Sequence, residues 1–309
     1  MSRLQQAASC QRLGPGDQVS TDTSPVAVRI VRSYPLVVFV LLACLFGWAI
    51  WIGVFLSGGT GGGNLPLGPI MATLIVVSCQ GREELRSWAR RVRSWRAPPR
   101  WYLLAVLAPI ALHVLIVVAN HWLGASLPTS DQLAGWAQVP ATFVVVLVLI
   151  GIGEEAGWTA FAAPILLRRH SMLVAWVLAS AMRILWHLPL MISGDLPWVL
   201  GIVGNAAFTM VTLQVLVASG GRWSLVAVWH AMLNAAGGSF FFTMVTGHDE
   251  ARLNLLLAGV YAVVAVIAYV SGRRHHSPHD PSPLPLTGVD PRRHITGGTH
   301  VDRHAATHL

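Results

Sequence analysis

The sequence predicts an all-α fold, a polytopic transmembrane helical bundle of about eight spans with both termini cytoplasmic. Three observations lead there. Of 309 residues, 54% are hydrophobic and only 11% are charged, with a mean hydropathy of +0.59, whereas soluble domains carry about 25% charged residues. Apolar runs long enough to cross a bilayer, ~20 residues, recur along the chain. Finally, 19 of the 21 arginines fall in alternate connecting segments, as the positive-inside rule requires. So few charges cannot coat a soluble surface. The composition also excludes collagen-like repeats, a wholly disordered chain and a disulfide scaffold.

Residues 1–33 are mixed in character and read as a disordered cytoplasmic segment. The transmembrane domain follows at 34–271, with spans at 34–57, 65–80, 101–124, 138–167, 172–193, 196–218, 223–246 and 253–271. The second run carries Pro66 and Pro69 near its start and is the weakest by length. It is retained because removing it would invert every later loop and destroy the arginine asymmetry. With it in place, only Arg252 lies outside and only Arg183 lies within the membrane. The first run stays apolar well past any plausible cleavage point, which argues against a signal peptide and against lipidation at Cys44. Cys10, Cys44 and Cys79 have no metal or redox spacing and read as inert thiols.

Segment 82–97 places Leu85, Trp88, Val92 and Trp95 at helical spacing, with Arg82, Arg86, Arg90, Arg93 and Arg96 around the other faces. That is the pattern of an interfacial amphipathic helix whose arginines meet anionic lipid headgroups. All 21 basic residues are arginine and the net charge is +8. Their grouping beside spans points to a membrane surface, and no nucleic-acid partner is expected. Residues 272–309 are rich in His and Pro, too poor in apolar residues to offset ordering entropy, and are expected to be a disordered cytoplasmic tail.

The chemistry sits in the few polar groups inside the spans, where an ionisable side chain is expensive and marks function by default. Glu154 and Glu155 are the only acids there and Arg183 the only arginine. Adjacent carboxylates on a helix point about 100° apart, so one can face a cavity while the other faces a neighbouring helix. Arg183 and His187 are four apart and share a helix face, as do His230 and Asn234. A carboxylate with a histidine can deprotonate water, and a histidine with an asparagine amide can donate to a developing oxyanion. Glu154, His187 and His230 can equally ligate a divalent metal such as zinc; a metal-free site fits the same residues. No Ser or Cys sits in a nucleophile motif, so water is the expected nucleophile. His113 and His121 read as packing or interfacial residues, Trp186 and Trp229 as packing or cavity walls, and Asn205 and Gln214 as interhelical hydrogen-bonding groups.

These motifs resemble the CPBP intramembrane proteases, the CAAX protease and bacteriocin-processing family related to type II CAAX prenyl endopeptidases. The family pattern is EExxxR, then FxxxH, then HxxxN on successive helices. Here it reads as Glu154-Glu155 within EEAGW, His187 within WHLPL, and His230 with Asn234. The resemblance covers roughly residues 34–245. It implies an intramembrane endopeptidase, metal-dependent or driven by the glutamate alone, acting on a membrane-anchored substrate of prenylated CAAX or bacteriocin type in a bacterial cell membrane. Glu154 would activate water with help from His187, and His230 and Asn234 would stabilise the oxyanion; Glu155, Arg183 and Trp158 would support them. Two positions depart from the pattern: Thr159 replaces its Arg, and Arg183 replaces its Phe. The expectation is that Arg183 pairs with Glu155 across helices and restores the missing ion pair. The alternatives are a catalytically silent immunity or binding scaffold of the same fold and, third, a proton-coupled transporter, which would predict repeated halves.

Overall fold

The structure is a computed structural model that describes residues 25–60 and 63–275. The chain is all-helical, with no strand among the described residues. Helix α1 (Val26–Ser33) lies within the segment expected to be disordered, and its first 24 residues lie outside the described ones. Pro35 disfavours helical geometry at Tyr34, and α1 turns through 105° there into α2 (Pro35–Gly47). Arg32 Nε donates to the Cys79 carbonyl at 3.1 Å, tying α1 to the end of a later helix. Helix α3 (Ala49–Leu56) continues the first apolar run after a break at Trp48.

Helix α4 (Gly68–Gln80) begins only after Pro66 and carries Pro69 in its first turn. Its 13 residues rise about 20 Å at 1.5 Å each, short of a ~30 Å hydrocarbon core. Then come α5 (Arg82–Arg93), α6 (Pro99–Trp122), the long α7 (Ser130–Arg169), α8 (Met172–Trp186), α9 (Leu188–Ser193), α10 (Leu200–Ala218), α11 (Trp223–Met244) and α12 (Gly247–His275).

Five of these, α6, α7, α10, α11 and α12, are long and apolar enough to cross a membrane, and the bent α1–α2 pair makes six if it is one span. The chain is thus a multi-pass membrane protein. The expected spans at 65–80 and 172–193 are instead shorter apolar helices, because prolines delay the first and Pro189 ends the second near His187. Helix α12 runs to His275, a few residues past the expected start of the tail, whose remainder lies outside the described residues.

Helix α5 ends at Arg93 ahead of Pro98 and Pro99. Its apolar stripe covers protein: Leu85, Ala89 and Val92 pack on the main core, Trp88 Nε1 donates to the Ala156 carbonyl at 3.0 Å, and Trp95 meets Trp223 edge-on at 5.4 Å. Its arginine heads at 82, 86, 90 and 93 stay exposed.

The core is centred on the Glu-Glu turn of α7. A Cβ added at Gly151 would lie 2.7 Å from the Ala227 carbonyl oxygen of α11, and one at Gly157 would lie 2.7 Å from the Pro69 carbonyl oxygen of α4. These two glycines let α7 touch both neighbours through backbone, the small-residue contact by which helices associate in lipid. The carboxylates between them are thereby held at the middle of the bundle.

Candidate active site

Glu154 and Glu155 sit between two π-helical turns of α7, Leu147–Ile152 and Trp158–Ala162, an irregularity frequent at functional sites. The two side chains have different fates. Glu155 is fully buried, and Arg183 Nη2 donates to both of its oxygens, at 2.8 and 2.7 Å. His230 Nδ1 donates to Oε1 at 2.8 Å, and the Thr159 hydroxyl donates to Oε2. The pairing of Arg183 with Glu155 expected from the two motif departures is therefore present. The guanidinium also lies over the rings of Trp158, at 5.5 Å, and Phe208, at 5.1 Å, contacts that favour a desolvated cation.

Glu154 is buried as well, yet its Oε2 has no hydrogen-bond partner. It lines a cavity of about 450 Å³ together with His187, His230 and Asn234. All four residues read as catalytic from the sequence thus share one space, and Glu155, Arg183 and Trp158 pack behind it.

The histidine tautomers follow from their partners. His187 stands at the break between α8 and α9, where its Nδ1 lies 2.8 Å from the Arg183 carbonyl oxygen. A carbonyl can only accept, so the proton is on Nδ1 and Nε2 keeps its lone pair. By the same reasoning His230, donating from Nδ1 to a carboxylate, has a bare Nε2 when neutral. Asn234 Nδ2 donates to the His230 carbonyl at 3.1 Å, which leaves one amide N–H and Oδ1 for a ligand.

Several lining residues were not assigned to the site by sequence, among them Asp195, Tyr261 and three whose hydrogen bonds fix them in the wall. His113, read as a packing residue, is buried in the cavity wall; its Nδ1 donates to the Pro109 carbonyl at 2.8 Å and its ring stacks on Phe241 at 5.2 Å. Asn205, read as interhelical glue, lines the wall, and its Nδ2 donates to the Gly201 carbonyl at 3.0 Å. Asn64 enters from the loop before α4 and donates to the Trp186 carbonyl at 2.6 Å, while its Oδ1 is buried without a partner. An imidazole in an apolar run was the available signal for His113. Nothing in the local sequence marks Asn64.

Ligand atoms of Glu154, Glu155 and His230 lie within 4.8 Å of one another, so this buried group could hold a metal ion. The set expected from sequence had His187 in place of Glu155, and His187 lies outside this group. The donor chemistry fits a metal poorly. Both Glu155 oxygens are already engaged, and the Arg183 guanidinium 2.7 Å away would repel a second cation. Glu154 and His230 alone remain, where catalytic zinc takes three protein ligands.

Residues 135–236 match one protein-family model. Over this stretch the chain is similar to that family. The family's description is type II CAAX prenyl endopeptidase Rce1-like, and the matched stretch contains every residue of the three motifs from Glu154 to Asn234. The resemblance read from those motifs is borne out over that part of the chain, about a third of its length. No curated protein matches the chain.

Proposed function

We propose that this Rce1-like chain is an intramembrane endopeptidase of a cell membrane, hydrolysing a peptide bond in a membrane-anchored peptide of the CAAX type that the family's name describes. One observation carries the reading: of two adjacent buried carboxylates, Glu155 is saturated by Arg183, His230 and Thr159, while Glu154 keeps an unpartnered oxygen and lines a cavity shared with two imidazoles and an amide.

Water in that cavity donates one hydrogen to the Glu154 carboxylate and the other to the bare Nε2 of His187. As the water oxygen attacks the substrate carbonyl carbon, its proton passes to Glu154. The free N–H of Asn234 donates to the oxyanion that forms. His230 joins as a second donor only as imidazolium, with Glu155 balancing its charge through Nδ1. The protonated Glu154 then delivers its proton to the amide nitrogen, the C–N bond breaks, and a carboxylic acid and an amine leave.

A silent scaffold draws support from Thr159, which stands where the family motif has Arg. Arg183 removes that support, because it supplies the guanidinium to Glu155 from the neighbouring helix. The test uses the full chain in detergent with a farnesylated CAAX peptide and with a membrane-anchored peptide library. Glu154→Gln, nearly isosteric, should lower kcat by at least 10³-fold, on the scale of losing a general base together with its charge, with substrate binding retained. Wild-type protein that binds but leaves every peptide intact would replace this reading with the scaffold.

A further inference from the structure

A second cavity, of about 780 Å³, lies away from the catalytic one, between α5 and the turn joining α10 to α11. Four guanidiniums line it, those of Arg90, Arg91, Arg96 and Arg222, and no acidic residue does. It is a built site. Arg91 gives one N–H to the Ala160 carbonyl, while its own carbonyl accepts from Trp223 Nε1 at 2.8 Å. Arg222 donates from Nε to the Arg96 carbonyl at 3.0 Å and from Nη1 to the Ser219 carbonyl at 2.8 Å. Each guanidinium carries five N–H donors, so both are fixed in place with donors to spare. Gly220 and Gly221, at φ +67° and +89°, close α10 without adding a side chain to the cavity wall.

The charge there is under-compensated. Burial, and then the neighbouring Arg168, hold Arg91 below the usual arginine range, with Glu84 only partly offsetting them. Planar guanidiniums around one cavity whose wall carries no acidic residue match phosphate oxygens.

A smaller groove of about 190 Å³ adjoins this cavity and shares Ala218, Ser219 and Arg222 with it. Its wall is apolar, made by Trp101, Leu104, Val211, Val215, Leu225 and Trp229. A cationic chamber continuous with an apolar groove fits an amphiphile.

We infer that this pair of cavities binds an anionic phospholipid, its phosphate headgroup held by the four arginines and an acyl chain lying along the adjoining groove. The site is independent of the catalytic reading, although Thr159 lines it and donates to Glu155, one hydrogen bond from the centre of the bundle. It also gives the α5 arginines a defined chamber in addition to a diffuse membrane surface.

The full chain in uncharged detergent is titrated with phosphatidylglycerol and with phosphatidylcholine of the same acyl chains, adducts being counted by native mass spectrometry. Inorganic pyrophosphate is titrated separately by calorimetry. Phosphatidylglycerol should bind at least tenfold tighter than phosphatidylcholine, and pyrophosphate should displace it. Arg90→Gln with Arg96→Gln, both exposed heads, should weaken phosphatidylglycerol roughly 25-fold on the usual worth of two arginines. Arg86→Gln with Arg93→Gln removes the same charge from the same arginine-rich segment outside the cavity and should change affinity less than threefold. Val215→Trp fills the groove and should weaken the lipid while leaving pyrophosphate untouched. Equal losses from the two arginine pairs would overturn the site in favour of diffuse attraction. Equal binding of both lipids would overturn the headgroup assignment, and pyrophosphate binding without lipid binding would mean a soluble phosphate as occupant.

Discussion

Arg183 is a buried cation whose only carboxylate partner among the described residues is Glu155. Removing one member of a buried pair leaves the other charge uncompensated, a loss of about 3–5 kcal/mol. Arg183→Phe should therefore lower the thermal midpoint of the detergent-solubilised chain sharply and abolish cleavage. Adding Thr159→Arg to that variant rebuilds the ion pair within α7 and should recover most of both, whereas Thr159→Val with Arg183→Phe should recover neither. Glu154 and Glu155 show how far residue chemistry was legible: acids inside apolar runs had to be functional or paired, and the one free oxygen marks the first role and the three donors the second. His113 escaped because a single imidazole with no polar residue one turn away on its helix reads as packing; its place in the cavity wall depends on α11 bringing Gly237 against it. A Cβ at that glycine would come within 2.8 Å of His113 Nε2.

At the level of elements, the close approach of α7 to α4 positions the carboxylates. Gly157→Ala puts a methyl group against the Pro69 carbonyl, which cannot swing aside as a side chain would. It should cost about 1–3 kcal/mol, the usual range for overpacking, and should lower activity through displaced carboxylates. Gly53→Ala, with nothing within 4 Å of the new methyl, should leave the unfolding midpoint unchanged or slightly raised. Sequence located these helices because their apolar runs are long, and it overextended two of them because proline limits depend on packing as well as on position. It found α5 from its periodicity, but a stripe of Leu, Val and Trp is equally suited to lipid and to protein. The deciding feature, the Ala156 carbonyl that receives Trp88, lies 68 residues away along the chain.

For the whole molecule, the arginine pattern predicts α5 and the turn before α11 on the inner side and the loop after α6 on the outer side, with the short α4 and α8 each completing a crossing. In a background with Cys10, Cys44 and Cys79 replaced by alanine, single cysteines at Ser94 and Leu127, both exposed, should be labelled from opposite faces of intact cells by an impermeant maleimide. Labelling of Leu127→Cys and Ser94→Cys from the same face would break the asymmetry argument. The assembled bundle also explains a double use of one residue. Arg183 serves the site through its side chain, which neutralises Glu155, and through its carbonyl, which sets the tautomer of His187. A slip of α8 by one residue turns it by about 100°, undocking the guanidinium and swinging the imidazole away at the same moment. Charge balance and imidazole orientation are thus gained or lost together, so under the proposed function a misregistered helix would leave no half-competent site.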